Sequence, residues 1–171
     1  MLTREQITRI YRSHSKEIYA YLCRLSGNPD TAEDLLQEVF EKFIIYTVEK
    51  DIQEDKYRAF LYRTAHNLCV NQLIKTKRAR LDNIDDVEDM LKSEDTHSQK
   101  IVLDELNDKI YRILETVEPE SRSIFIMHKE SGMNYDEIAG QLSLSARTVR
   151  RRVKDVTEIL HRELKKAGFL S

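Results

Sequence analysis

The segment 145–154 carries five cationic side chains and no acidic one. An ordinary surface helix mixes both signs, because neighbouring opposite charges stabilise it. At about 100° per residue, Arg147, Arg151 and Lys154 lie opposite a valine stripe. Arg150 lies on the flank of the same face. This pattern favours binding to the phosphates and base edges of duplex DNA. The residues predicted to contact duplex DNA are Ser145, Arg147, Thr148, Arg150, Arg151 and Lys154.

A helix-turn-helix is predicted to hold this cationic face. Asn134 and Glu137 have the spacing of a capping pair, and 143–145 has the composition of a tight turn that ends in a second helix cap. Arg152 falls near the buried edge of the last helix, so we expect it to pair with a neighbouring carboxylate or to reach a phosphate. The predicted packing stripe of that helix is Val149, Val153, Val156 and Leu160.

A second basic region, residues 56–81, contains no acidic side chain, and its cations alternate with aromatic residues. Cations neutralise phosphates, and aromatic faces stack on unpaired bases, so this composition suits single-stranded nucleic acid. Asn67 and Asn71 lie one helical turn apart, where their amides can reach base edges. Phe60 is expected to pack in the core. The residues predicted to contact the single strand are Tyr57, Arg58, Arg63, Asn67, Asn71, Lys75, Lys77 and Arg78.

An amphipathic helix with an acidic ridge is predicted near residues 30–43. Asn28 or Asp30 is expected to cap it, with Asp30 and Glu33 as a capping-box pair. Its apolar positions recur three and four residues apart. The opposite side carries the acidic ridge, which consists of Asp34, Gln37, Glu38 and Glu41. A ridge of this kind is either a solvated helix face or a docking surface for a basic partner.

Composition favours an all-α protein. The chain has 171 residues, of which 40% are apolar and 34% charged, and it has only 4 glycines, which leaves little for turn-rich β structure. The segment 81–100 has seven acidic residues against two basic ones, and too few apolar side chains to offset the entropy of ordering it. We therefore predict two small, independent helical domains, 1–80 and 101–171, joined by the flexible acidic linker 81–100. The linker is expected to contain one helical turn near 87–91.

The chain shows no signature of an enzyme, a cofactor site or a metal site. It has no glycine-rich phosphate loop or nucleophile elbow, and its five histidines are scattered. Cys23 and Cys69 are predicted to be small buried hydrophobes. The N-terminal residues contain no apolar run of the signal-peptide type, and no stretch approaches the ~20 apolar residues of a membrane span. These features predict a cytoplasmic protein.

Three stretches, DTAEDLLQEVFEKF, RAFLYRTAHNLCVNQLIKTKR and NYDEIAGQLSLSARTVRRRV, carry a family resemblance in their order and spacing. They resemble the signature stretches of extracytoplasmic-function (group four) sigma factors of the sigma-seventy family. The resemblance covers roughly residues 5–80 and 105–166. It implies a non-enzymatic factor that binds core RNA polymerase and directs it to promoter DNA.

The resemblance also implies a role for each predicted surface. The acidic ridge would dock on the clamp helices of the largest polymerase subunit. The helix 58–80, with the loop before it, would read the melted minus-ten element, and the helix-turn-helix would read the minus-thirty-five element as duplex. The acidic linker would run through the active-site and RNA-exit channels of the polymerase. An anti-sigma factor is the regulatory partner that the resemblance implies.

Several positions depart from the family pattern. Phe60 stands where the family usually has Trp, Asn71 where Asp is common, and Ile74 and Asp155 where Arg is frequent. The last two changes remove cations that would contact phosphates. Two other classes of protein fit the same residues: a conventional helix-turn-helix regulator with a helical sensing domain, and a helical adaptor whose basic face binds an acidic protein.

Overall fold

The computed structural model describes residues 1–82 and 100–171, with side chains described for 1–82 and 104–171. Within these ranges the chain is helical and contains no strand, so the predicted all-α fold is confirmed. No helix in the described ranges is long and apolar enough to cross a membrane. The helices are α1 (Arg4–Ser26), α2 (Pro29–Glu49), a 3₁₀ turn (Glu54–Lys56), α3 (Tyr57–Asp82), α4 (Lys100–Thr116), α5 (Pro119–Lys129), α6 (Tyr135–Leu142) and α7 (Ala146–Lys166).

A two-residue connection joins α1 to α2. Gly27 ends α1 in the left-handed conformation, with a φ of 69°. Asn28 then caps α2 by accepting a hydrogen bond from the Thr31 N–H at 3.1 Å, and a proline follows in the first turn. The alternative cap, Asp30 paired with Glu33, is therefore wrong, because Asp30 already lies inside the first turn of α2.

Alanine at Gly27 is expected to lower the free energy of unfolding by about 1 kcal/mol, because a side chain strains a left-handed residue. Its Cβ would also lie 2.9 Å from Glu115 Oε1. A Cβ at Gly140, in the interior of α6, would meet no atom within 4 Å, so alanine there is the matched control and should be stabilising by about 0.5 to 1 kcal/mol. Urea unfolding of both variants checks this, and equal effects would contradict the cap assignment.

The helices α1, α2 and α3 share one apolar core. Phe43 of α2 makes edge-to-face contacts with Tyr57 and Phe60 of α3, with ring centroids 5.4 and 5.6 Å apart. Phe60 therefore packs against the core, as predicted. The most deeply buried residues of this core are Ile18, Leu22, Leu25, Ala32, Val39, Phe43, Leu61 and Ala65.

The helices α6 and α7 form the predicted helix-turn-helix. Asn134 and Glu137 make the reciprocal capping box, with both hydrogen bonds at 2.8 Å. Ser143 ends α6 with a φ of 55°, and Ser145 caps α7 by accepting a hydrogen bond from the Thr148 N–H at 3.1 Å. The predicted packing stripe is confirmed, since Val149, Val153, Val156 and Leu160 are all buried.

The two halves of the chain pack against each other, through contacts that the sequence did not predict. The helices α1 and α3 contact α5, and α3 also contacts α6. The reason is that α5 buries polar as well as apolar side chains against α1 and α3. In the structure α3 ends at Asp82 and α4 begins at Lys100. The predicted helical turn near 87–91 lies outside the described residues.

Candidate nucleic-acid and polymerase interfaces

The cationic face of α7 is exposed. Arg147, Arg150, Arg151 and Lys154 are all solvent-accessible, because the valine stripe turns the opposite side of the helix towards α4, α5 and α6. The guanidinium carbon of Arg150 lies 5.4 Å from the centre of the Tyr135 ring, a cation–π distance that restrains it. The structure therefore presents these four cations on one exposed side of α7.

Arg152 lies apart from that surface. Its Nη1 atom is 2.6 Å from Glu120 Oε2 and 3.9 Å from Glu118 Oε2, and its side chain is largely buried. The expected pairing with a neighbouring carboxylate is confirmed. The ion pairs of Arg152 therefore link α7 to α5. The cations of the exposed face point to the solvent.

Asn67 and Asn71 of α3 line a surface groove with a volume of about 520 Å³. Both amides are exposed, one turn apart, as their spacing predicts. The other wall comes from the C-terminal half of α2, whose contribution the sequence analysis missed. The sequence contained a signal for this wall, because Ile45 is apolar yet lies off the packing stripe of α2. In the structure its side chain is 61% exposed. The remaining groove residues are Lys42, Tyr46, Glu49, Phe60, Thr64 and Leu68.

The other residues predicted to bind the single strand fall into two groups. Lys75, Lys77 and Arg78 are exposed on the last turns of α3. Tyr57, by contrast, is buried against the core. The remaining two residues, Arg58 and Arg63, form hydrogen bonds within the protein.

Arg58 and Arg63 point towards other parts of the protein. The Nε of Arg58 lies 3.0 Å from Glu17 Oε2, and its Nη2 donates to the Ser131 carbonyl at 3.2 Å. The Nε of Arg63 donates to the Gln141 carbonyl at 2.7 Å. In this conformation both guanidinium groups are occupied by contacts within the chain.

The acidic ridge lies on the solvent side of α2. Asp34, Gln37 and Glu41 are exposed, and Glu38 is half-buried. Glu38 Oε1 lies 3.5 Å from the Lys42 ammonium nitrogen, an exposed i,i+4 pair that contributes little to stability. The predicted residues are therefore brought together on one accessible face.

Three buried polar residues at the junction between the halves were missed: His66, Arg122 and Ser123. Tyr21, which contacts Ser123, lies on the predicted apolar stripe of the first helix. Burial lowers the pKa of His66 to about 4, so this imidazole is neutral at pH 7. No periodic pattern distinguishes single polar residues of this kind from surface residues. In the described part of the chain, no cluster of three His, Cys, Asp or Glu side chains is arranged to hold a metal ion.

Comparison with protein families gives two matches. Sigma-70 region 2 matches residues 10–79, and Sigma-70, region 4 matches residues 107–155. The first match contains the acidic ridge and the groove, and the second contains the helix-turn-helix. Together they cover more than half of the chain.

Curated relatives are similar along most of this chain. The ECF RNA polymerase sigma factor SigE of Mycolicibacterium smegmatis is 28% identical over 84% of this chain and 56% of its own length. The probable ECF RNA polymerase sigma factor SigI of Mycobacterium tuberculosis is 26% identical over 88% and 53%. The chain thus spans about half the length of these two relatives. The RNA polymerase sigma factor YlaC of Bacillus subtilis is 26% identical over 97% of this chain and 94% of its own.

A solved structure shares most of this fold. It is the sigma factor RpoE in complex with the anti-sigma factor NepR from Bartonella quintana, with a TM-score of 0.71 and 19% identity over 92% of this chain and 96% of that one. Because the likeness extends over nearly the entire chain, it includes both helical halves. The matched regions and relatives show that this chain belongs to the sigma-70 family of RNA polymerase sigma factors, in its extracytoplasmic-function group.

Proposed function

We propose that this chain is a transcription initiation factor that binds core RNA polymerase, directs it to promoters and helps to open the DNA. The observation that carries the proposal is the exposed cationic face of α7 on a capped helix-turn-helix. Such a helix enters the major groove and reads base edges with its first turns. The factor would not be an enzyme, and it would act in the cytoplasm, where the polymerase transcribes.

The α7 surface is proposed to read the minus-thirty-five element as duplex. Arg147 and Arg151 lie in the first turns of α7 and are exposed, which suits bidentate contacts to guanine. Lys154, two turns from the cap, suits a phosphate contact. Ser145 and Thr148 lie at the N-terminus of the helix, where backbone N–H groups favour a phosphate.

The groove between α2 and α3 is proposed to hold a base of the melted minus-ten strand. Its volume of about 520 Å³ is large enough for one nucleobase, and it offers aromatic, apolar and amide groups together. Tyr46 and Phe60 provide ring surfaces, and their centroids lie 4.8 Å apart. Asn67 and Asn71 provide donors and acceptors for a base edge. The exposed cations Lys75, Lys77 and Arg78 continue the surface along the strand.

Transcription in vitro tests the proposal. Adding the chain to core polymerase should produce transcripts from a matched promoter and none from a promoter with both elements scrambled. A regulator of the conventional type would instead bind duplex DNA tightly as a dimer without polymerase. An adaptor would show no salt-dependent affinity for nucleic acid. Either result would replace the proposed function.

The acidic ridge is proposed as the docking surface for core polymerase. Replacing Asp34 and Glu38 by alanine is expected to weaken core binding by about 1 to 3 kcal/mol, because truncation leaves the partner's cations unpaired. Fluorescence titration with core polymerase measures the effect. Replacing Glu105 and Asp108, two exposed acids of α4, is the control that removes the same charge elsewhere. Equal affinity for both double variants would contradict this assignment.

An anti-sigma factor is proposed as the regulatory partner. The support is the fold shared with RpoE, whose solved structure contains the anti-sigma factor NepR. A partner of this kind would act by covering the acidic ridge or the cationic face of α7. Capture of a candidate inhibitor by the full chain, followed by loss of transcription in vitro, would test it.

A further inference from the structure

Two aromatic rings and one arginine form a stack at the edge of the helix-turn-helix. The ring of His128, in the last turn of α5, stacks on the Tyr135 ring, with centroids 4.5 Å apart and planes at 27°. Tyr135 is the first residue of α6. The guanidinium carbon of Arg150, in α7, lies 5.4 Å from the centre of the same tyrosine ring. The stack therefore joins α5, α6 and α7 and ends on an exposed cation.

The histidine end of the stack is held by the turn between α5 and α6. His128 Nδ1 lies 2.8 Å from the Met133 carbonyl oxygen. A carbonyl oxygen only accepts hydrogen bonds, so Nδ1 carries a proton and donates it. The Met133 N–H donates in turn to the Met127 carbonyl at 3.1 Å, and the Met133 side chain is buried. These contacts fix the plane of the imidazole, which gives the Tyr135 ring a fixed support.

The stack restrains Arg150 without neutralising its charge. Among the residues that the structure describes, no carboxylate lies within ion-pair distance of this guanidinium group. The face of an aromatic ring attracts a cation and occupies none of its N–H donors. Arg152 differs, because Glu120 accepts a hydrogen bond from its Nη1 at 2.6 Å. Arg150 therefore keeps its charge and its donors for an anionic ligand.

The place of the stack in the helix-turn-helix indicates which anion Arg150 would meet. In this motif the first helix crosses the DNA backbone, and the second helix enters the major groove. The first helix is α6, and Tyr135 holds Arg150 on the side of α7 that faces the start of α6. Arg150 would therefore lie over the sugar-phosphate backbone. A phosphate contact fixes the register of a protein on the duplex and carries no sequence information.

We propose that Tyr135, supported by His128, is a positioning residue that holds Arg150 against a backbone phosphate of the minus-thirty-five duplex. The proposal rests on the proposed function, and it adds two residues that the sequence analysis did not assign to DNA binding. The advantage is entropic: an arginine side chain loses rotamer freedom when it binds a phosphate, and Tyr135 removes part of that freedom beforehand. Tyr135 thus acts through Arg150 and makes no contact of its own with the DNA.

Fluorescence anisotropy of the full chain with two labelled duplexes of different sequence, over a salt series, tests the proposal. Arg150→Ala should weaken binding to both duplexes by the same factor and reduce the salt slope by about one. Tyr135→Leu keeps an apolar side chain and leaves the arginine in place, so it should weaken binding to both by about two- to five-fold with an unchanged slope. Tyr135→Phe keeps the ring and should bind like the wild type.

A double-variant cycle shows whether Tyr135 acts through Arg150. Arg150→Ala combined with Tyr135→Leu should bind no more weakly than Arg150→Ala alone. His128→Leu should give a smaller loss that also disappears in the Arg150→Ala background, and circular dichroism checks that each variant keeps its helices. Additive losses, or a loss with Tyr135→Phe, would overturn the positioning role and leave the proposed function standing. A wild type without salt-dependent affinity for either duplex would overturn both.

Discussion

Alanine at Arg147 or Arg151 is expected to weaken binding to a matched minus-thirty-five duplex by about 1 to 3 kcal/mol each, and to weaken binding to a mismatched duplex much less. The reason is position: both side chains are exposed in the first turns of a helix whose N-terminus is fixed by the Ser145 cap. Removing an arginine that pairs with one guanine weakens binding only to a duplex in which that guanine is present. Titrations with matched and mismatched duplexes over a salt series measure the difference.

Lys154→Ala provides the comparison within the same helix. As a phosphate contact, Lys154 should contribute equally to every duplex, and its loss should reduce the salt slope by about one. Its Nζ lies 3.6 Å from Glu158 Oε1, an exposed pair that should not change this result. If the Arg147 and Arg151 variants lose the same free energy on both duplexes, neither residue reads a base.

Acid is expected to destabilise the chain through His66. Burial lowers the pKa of this imidazole from 6.5 to about 4; the charge of Glu120 opposes the shift and that of Arg152 supports it. Below pH 6.5 the unfolded chain therefore binds a proton that the folded chain does not accept. Stability is lost as the pH falls from about 6.5 to about 4, and this group alone should remove about 2 to 3 kcal/mol by pH 4.5. Protonation also removes the acceptor for the Ser123 hydroxyl.

His66→Gln isolates this contribution, because glutamine keeps an acceptor and does not titrate. Chemical unfolding at pH 7 and pH 4.5 should show a smaller loss of stability for this variant than for the wild type. His161→Gln, at an exposed position of α7, is the matched control and should retain the wild-type pH dependence. A loss of equal size in wild type and His66→Gln would show that the imidazole titrates freely in the folded chain.

The helix-turn-helix and its cationic face were determined by the sequence itself. The Asn134–Glu137 capping box, the Ser145 cap and the valine stripe are local features, each formed by residues within a few turns of each other. Arg152 could likewise be assigned from its angle around α7, although its partner Glu120 could not. Helical periodicity and capping act over short distances, so they are readable without knowledge of the fold. The residues of the acidic ridge were placed on one face for the same reason.

Only the tertiary structure decided how the halves meet and which cations remain accessible. Ser123 lies 102 residues from Tyr21 and 57 from His66 along the chain, so no local pattern could pair them. The same packing places Tyr57 in the core and directs Arg63 to α6, although both have the composition of nucleic-acid contacts. Burial and long-range hydrogen bonding depend on which surfaces come together in the fold. A charged or aromatic residue therefore looks the same in a sequence whether it faces the solvent or a neighbouring helix.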